Sequence, residues 1–442
     1  MQPGDDASER SRKHLQEAED RYRQVGLDNE ALELRYQLQH GGRRPFAEVS
    51  DDTRLIAVGE YLLHQWIRER VTSQNVTMAE NIQLVVGVGD DAAVVSTGRA
   101  RSELSFAFTT DAAPGSLATL SKEVPEYVGR FAVIQTLADV LAMGARPVAV
   151  LANVFLSREV TVGYVRRAIG AIIEEAAKYG VAVIGGDVKE RNEQSIGCVG
   201  IGLVDSKRVL RRDAARAGHA VGITLASASG GGTRLVGARW AQELVEHYRL
   251  DAARTAREYP DLASVLDTNI KSDLLYVPDS VMKSAARTGV LRAAIDTSDG
   301  VLACLEILGR ESDVGFELDE VAIDAVIDER ARLLAKALGL PPAAFLFSAG
   351  HDWEIVFTCE DRLFAGMQET VARDLQGNGG VARIGRVVPA EGHEGSSISL
   401  LRKDGGRITM PYYTDEKFVP KAYQDRPSQW LTFANRLRVA TD

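Results

Sequence analysis

At 442 residues, 45% apolar and 26% charged, the chain has the length for two globular domains and the composition of an ordinary soluble protein. Its 62 acidic and 52 basic residues leave a formal charge of −10, which argues against general nucleic-acid binding, since that wants a basic face. No apolar run reaches the ~18 residues of a bilayer span, and the polar, acidic start MQPGDDASERSRKHLQEAED lacks the character of a secretory signal.

Residues 1–48 read as a helical extension: Leu15, Ala18, Tyr22 and Val25 keep helical spacing, Gly26 interrupts, and Ala31, Leu34 and Leu38 resume it. HGGRRP, at 40–45, reads as a linker. Ser50 or Asp51 can then cap a helix whose apolar face includes Leu55, Ile56, Leu62, Leu63, Trp66 and Ile67.

From residue 82 the period changes, and IQLVVGVG, AAVV, LSFAFTT, PVAVLANVFL, GVAVIGG and SIGCVGIGLV read as strands. Helices are expected over 123–145 and 160–179, so 49–215 forms a first mixed α/β domain. The charged stretch from RRDAARAG onward reads as a flexible boundary. A second mixed domain follows over 216–402, with strands at 220–226, RAAID, WEIVFT and VARIGRVV. Helices are expected near 279–288, 300–310, 323–338 and 361–375, and 403–442 reads as a tail lying over the surface of one domain. The halves show no strict internal repeat.

Three cysteines, Cys198, Cys304 and Cys359, are far apart and lack zinc-ligand spacing. They read as reduced thiols, which predicts a cytoplasmic protein. There is no H-E-x-x-H, no P-loop signature and no dinucleotide fingerprint, and the glycine run SGGGTRL at 229–235 lacks the P-loop lysine.

Aspartates recur where apolar runs meet turns. Asp90 and Asp91 lie in GVGDDAAVV, Asp111 in FAFTTDAAPG, Asp187 in VIGGDVKE, Asp296 and Asp299 in AAIDTSDGV, and Asp352 in SAGHDWEIVF. Asp139 sits inside an apolar helix. Taken singly, each also fits a turn, a cap or a satisfied core residue, with Thr297 or Ser298 able to cap the helix after Asp296. Together they need positive charge that the sequence around Asp90, Asp91 and Asp111 does not supply. Divalent cations are the simplest answer, since Mg²⁺ takes carboxylate oxygens and substrate phosphates together. Adjacent glycines let backbone approach a phosphate. Gly89, Thr110, Gly185, Gly186, Asp187 and Ser298 are accordingly the candidates for contact with a nucleotide.

The ordered motifs GDDAAV, TTD, A-M-G-A-x-P, IGGD, D-x-S-D-G and G-x-D-x-E-x-x-F-T resemble thiamine-monophosphate kinase and its wider superfamily of aminoimidazole ribonucleotide synthetase, selenophosphate synthetase and the hydrogenase-maturation dehydratase. The likeness covers roughly residues 50–390. It implies a two-domain α/β (α+β) fold that forms a homodimer through the N-terminal sheets and uses ATP with Mg²⁺. Carried over, it implies metal ligands at Asp90, Asp91, Asp111, Asp139, Asp187 and Asp299, with Asp296 and Ser298 shaping a loop. Asp352 and His351 fall on the acceptor side. The implied activity is ATP-dependent phosphotransfer to a small molecule, with no nucleic-acid or membrane partner.

Two other activities stay open. One is activation of an amide or carbonyl oxygen, leading to cyclisation or dehydration. The other is a nucleotide-binding scaffold without turnover. Selenophosphate synthesis is disfavoured, because no cysteine precedes the first GDD motif. The sequence departs from the kinase pattern in AAPGSLATLS after TTD, in Val188 after GGD, in Gly218-His219, and in Gly350-His351-Asp352-Trp353-Glu354. These changes cluster on the acceptor side, so the acceptor stays open while phosphate handling is expected intact.

Overall fold

The computed structural model describes residues 16–17, 19–21, 23–24, 27–40, 44–53, 57, 60–72, 82–87, 89–96, 104–113, 125–158, 160–192, 194–226, 236–250, 257–258, 275–347, 352–390, 397–410 and 426–441. Two compact units form. One comprises Met1–Thr77 with Asp415–Gln429, the other Met78–Thr414 with Trp430–Asp442. In the first, helix α1 (Asp28–His40) buries Ala31 and Leu34, and Phe46 packs 5.1 Å from Trp66 of α2 (Glu60–Thr72). Arg23 and Arg35 pair with the buried Glu19.

The second unit holds two sheets. The first has six strands in the order β1-β2-β3-β6-β4-β5. These are β1 (Gln83–Val86), β2 (Ala93–Ser96), β3 (Leu104–Ala112), β4 (Arg146–Leu156), β5 (Ala182–Glu190) and β6 (Ser195–Asp205). Only β4 and β5 pair in parallel, joined by α4 (Val162–Lys178); α3 (Pro125–Ala142) lies against β6 and β3. Thr161 caps α4 by accepting the Tyr164 N–H.

Helix α3 is apolar nearly all round, which is the pattern of a fully buried helix. Phe131, Ile134, Leu137 and Leu141 are each at most 1% exposed. Its approach to β6 depends on Gly202, where an added Cβ would lie 2.4 Å from Val140. The opposite face of the sheet stays open: Leu104, Phe106 and Phe108 alternate with buried Ser105 and Ala107 and are 53%, 39% and 40% exposed.

The second sheet has seven strands in the order β13-β12-β9-β11-β7-β10-β8. They are β7 (His219–Leu225), β8 (Leu291–Asp296), β9 (Val314–Asp319), β10 (Ile355–Glu360), β11 (Gly380–Pro389), β12 (Ile398–Leu401) and β13 (Arg407–Thr409). With it go α5 (Ala238–Leu250), α6 (Asp279–Arg287), α7 (Val301–Ser312), α8 (Glu320–Val326), α9 (Glu329–Leu338), α10 (Ala344–Phe347) and α11 (Asp361–Leu375). The strand orders differ, consistent with the absence of an internal repeat.

Three local expectations change. The single helix expected over 323–338 is two, because Ile327 and Asp328 are extended and Asp328 caps α9 by accepting the Arg330 N–H. The start of α7 is capped by neither Thr297 nor Ser298; Gly300 takes that position at φ +85°. Of the expected surface tail, residues 411–425 lie outside the described residues, and its last helix, α12 (Arg426–Thr441), buries Trp430, Phe433, Ala434 and Leu437 in the core around the second sheet.

Gly186 shows how tightly β4 and β5 pair. It sits at φ +152°, and a Cβ there would fall 1.9 Å from the Ala152 carbonyl oxygen. Gly186→Ala must therefore move a strand. We expect it to lower unfolding stability by about 1–3 kcal/mol, measured by urea denaturation; unchanged stability would show that the strands separate freely.

Candidate active site

Turns and element ends of the second unit bring the acidic side chains together. Asp91 lies in the turn between β1 and β2, Asp139 in the last turn of α3, and Asp296 at the end of β8. One carboxylate oxygen from each falls within 4.8 Å of the others. Thr109 of β3 donates its hydroxyl to Asp139 at 2.6 Å, and Ser298 donates to Asp296 at 3.3 Å.

The electrostatics are those of crowded anions. Burial, then the Asp296, Asp111 and Asp91 charges, raises the Asp139 carboxyl well above its ordinary range, against the Thr109 hydrogen bond. Burial, then Asp91 and Asp299, does the same to Asp296, opposed by Arg212. Asp90 is pushed up to about 6 by burial and then by Asp91, again opposed by Arg212. Asp111 and Asp299 are thus electrically part of the group.

The internal counter-charge comes from far along the chain. The Arg212 guanidinium grips Asp91 with two hydrogen bonds, at 2.7 and 3.2 Å, and its backbone N–H donates to Asp90 at 3.1 Å. The stretch read as a flexible boundary is here a short 3-10 turn (Arg212–Ala214) that seats a side chain only 20% exposed. Nothing in the local sequence separates Arg212 from its neighbours. Its role follows from where β6 delivers the chain. One guanidinium leaves most of the negative charge unbalanced.

The donor set fits a small hard cation. Mg²⁺ at about 2.1 Å from each oxygen holds its ligand oxygens about 3–4 Å apart, so the three oxygens need close only slightly. Asp296, read as a loop-shaping residue, is in the group itself.

The remaining candidates are placed as follows. Asp187 is exposed on the edge strand β5 and pairs with Lys189 at 3.3 Å. Asp111 pairs with Cys198, Cys198 with Ala152, and Ala152 with Gly186. Asp187 is therefore three strands across the sheet from Asp111, about 14 Å at strand spacing, and does not share an ion with the group. Gly185 lies beside it on β5, and the positive φ of Gly186 already serves the pairing with β4. Thr110 and Gly89 are exposed next to Asp111 and Asp90, Gly89 at φ +112°.

Asp352 is buried elsewhere. Its Oδ2 accepts the Gly237 N–H at 2.7 Å, and Oδ1 has no hydrogen-bond partner among the described residues. Burial raises this carboxyl to about 7, with Arg239 opposing and Asp328 reinforcing. His351 and the 229–235 glycine run lie outside the described residues. Trp353 is fully buried at φ +47°, edge-on to Phe131 at 4.8 Å. Glu354 accepts from the Thr224 hydroxyl, from Ala226 N–H at 2.7 Å and from the Tyr276 hydroxyl at 3.1 Å, and burial raises it to about 8. Cys198, Cys304 and Cys359 are free and buried. No described helix is long and apolar enough to cross a membrane.

Residues 89–204 match the AIR synthase related protein, N-terminal domain. Thiamine-monophosphate kinase of Mycobacterium tuberculosis (strain CDC 1551 / Oshkosh) is 28% identical over 296 residues, 66% of this chain and 80% of that protein. Selenide, water dikinase of Geobacter sp. (strain M21) is 33% identical over 175 residues, 39% of this chain and 48% of that protein. Among solved structures, AaThiL complexed with AMPPCP and TMP aligns at TM-score 0.58 and 20% identity, covering 83% of this chain and all of that one, a likeness of fold. The match to the AIR synthase related N-terminal domain covers residues 89–204, and the likeness to solved structures is one of fold. Over about two thirds of its length the chain is similar to thiamine-monophosphate kinases.

Arg212 is the most exacting residue of the site. Arg212→Met leaves Asp90 and Asp91 without their cation, and the expected loss of stability at neutral pH is about 3–5 kcal/mol. A carboxyl raised in the folded state stabilises it fully only below the ordinary value of 3.8 and loses that contribution as pH rises through about 6. Removing Arg212 steepens this fall. The gap between wild type and variant, read by urea denaturation, should be small at pH 4 and large at pH 7. An equal gap at both would refute the pairing.

Proposed function

We propose that the protein is an ATP- and Mg²⁺-dependent phosphotransferase that moves the γ-phosphoryl group of ATP to a small-molecule acceptor. The observation that carries this reading is the convergence of Asp91, Asp139 and Asp296, from three separated segments, on one cation-sized space. These three would hold Mg²⁺, with Asp90, Asp111 and Asp299 around them. When bound, the ion supplies positive charge to triphosphate oxygens that the carboxylates alone would repel.

The chain's own contribution is positioning. Thr109 and Ser298 fix the orientation of Asp139 and Asp296, and Arg212 holds Asp91. The γ-phosphorus loses its bond to the bridging oxygen, ADP departs with that electron pair, and the acceptor oxygen forms the new bond in line. A phosphate acceptor is already an oxyanion and needs no strong base. An alcohol acceptor would need a base within hydrogen-bond reach, and Asp352, expected on the acceptor side, would serve only if the acceptor extends to its centre beside Gly237. Asp187, Gly185 and Gly186 lie about 14 Å from Asp111 and belong to a different part of the bound nucleotide, or to the metal ions there.

The names of the relatives support thiamine monophosphate as the first acceptor to try. Incubation with ATP, Mg²⁺ and thiamine monophosphate is expected to give ADP and thiamine diphosphate in equal amounts. ADP with another phosphorylated acceptor would keep the phosphotransferase and change the substrate. Asp296→Asn should lower kcat by about 100-fold or more, or about 2.7 kcal/mol, and weaken Mg²⁺-ATP binding much more than metal-free ATP binding. Equal weakening of both, in titration calorimetry, would remove the metal role.

The open sheet face favours a homodimer. Leu84, Leu104, Phe106 and Phe108 are exposed on one face of the first sheet, and a patch of this kind marks an association surface. Phe106→Glu with Phe108→Glu should convert a dimer to a monomer in light scattering. A wild-type monomer, or an undisturbed dimer in the variant, would refute that use of the face.

A further inference from the structure

Helix α3 carries one stripe of side chains into the acidic group. Phe131, Gln135 and Asp139 follow one another at four-residue spacing, about 6 Å per step along the axis. Contacts fix both ends of this run. Asp139 brings a carboxylate oxygen within 4.8 Å of those of Asp91 and Asp296, and Phe131 meets Trp353 edge-on at 4.8 Å. The segments that carry Asp296 and Trp353 are themselves neighbours, since the Thr297 N–H donates to the Glu354 carbonyl at 2.8 Å. Gln135, between the two ends of the run, is therefore carried against this junction of β8 and β10, on which α3 packs.

Two hydrogen-bond donors are left over there. Gln135 is 6% exposed and Thr297 3%, yet the Gln135 Nε2 and the Thr297 hydroxyl have no hydrogen-bond partner among the described residues. The Thr297 backbone is engaged on both sides, because its carbonyl also accepts the Gly300 N–H at 3.0 Å, and the hydroxyl does not cap α7. A buried donor without an acceptor destabilises the fold. The neighbouring carboxylates could accept, but Asp139 takes its hydrogen bond from Thr109 and Asp296 from Ser298. Two donors held beside a crowd of acceptors, and bonded to none of them, suit an oxygen that arrives from outside the chain.

We propose that Gln135 and Thr297 form a donor pair for the phosphoryl group in transfer, hydrogen-bonding the equatorial oxygens that face α3. The proposal rests on the phosphotransferase reading. In transit the phosphoryl group spreads its charge over its equatorial oxygens. A cation on the carboxylates serves the oxygens on its own side. Neutral donors serve those it leaves, and no proton moves. Because packing sets both donors in place before substrate enters, they need no reorganisation when the charge develops.

The test is calorimetric and needs no acceptor. Mg²⁺-ADP is titrated into the full-length protein with and without aluminium fluoride, which mimics the phosphoryl group in transfer. Aluminium fluoride should tighten wild-type binding at least about tenfold. Gln135→Met and Thr297→Val keep the shape and remove a donor. Each should lose most of that tightening and still bind Mg²⁺-ADP within about twofold of wild type. Thr297→Ser, which keeps the hydroxyl, should retain the tightening. Gln135→Met should also hold or raise the urea midpoint, because it removes an orphaned buried donor; a lower midpoint would mark Gln135 as structural and overturn its place in the pair. Tightening that is equal in wild type and variants, or absent from a wild type that binds Mg²⁺-ADP, would overturn the donor pair alone. A wild type that binds no Mg²⁺-ADP would overturn the phosphotransferase reading, and the donor pair with it.

Discussion

Mutual repulsion among buried carboxylates is the constraint on which the site depends. Asp91, Asp139 and Asp296 are brought close by a turn, a helix and a strand end, each held by its own packing. None of these elements would place an aspartate there for its own stability. Helix α3 is buried along almost its whole length, so Asp139 is carried into the interior by the apolar residues around it. The energy that assembles the group is hydrophobic, and the group opposes it.

Arg212 makes the arrangement tolerable without neutralising it. Its fork meets Asp91 and its backbone meets Asp90, which ties the turn between β1 and β2 to the segment leaving β6. Burial and neighbouring charges still raise the carboxyls of Asp139 and Asp296, and a cation entering between them would bring both down again. A partly compensated site of this kind is stable enough to fold and still unsatisfied enough to bind, the usual compromise at functional sites.

The same unit carries charge of both signs on opposite ends of one strand. β8 leads from Arg292, in the wall of a cavity of about 640 Å³, to Asp296 in the acidic group. Because a strand is stiff and its pairing register is specific, the two regions are held at a set separation. Asp352 and Glu354 form a third polar centre with Gly237, Thr224 and Tyr276, distinct from both. Trp353 between them is locked against Phe131 of α3, so this centre and the helix bearing Asp139 share one packed core.

By itself the sequence determined the strands and most helices of the second unit, because period and flanking turns are local properties. It also marked Asp90, Asp91, Asp111, Asp296 and Asp299, since aspartate where an apolar run meets a turn is visible in one dimension, and Asp139 as a lone acid inside an apolar helix. It could not show which of them meet. Asp187 has the same local pattern as Asp111, yet β6 and β4 lie between them, and strand order is a non-local outcome. Arg212 lies 121 residues from Asp91 and looks like any charged loop residue until the chain path is known. The break at Ile327 and the burial of Trp430 were likewise decided by what each segment packs against, and packing partners are chosen only when the whole chain folds.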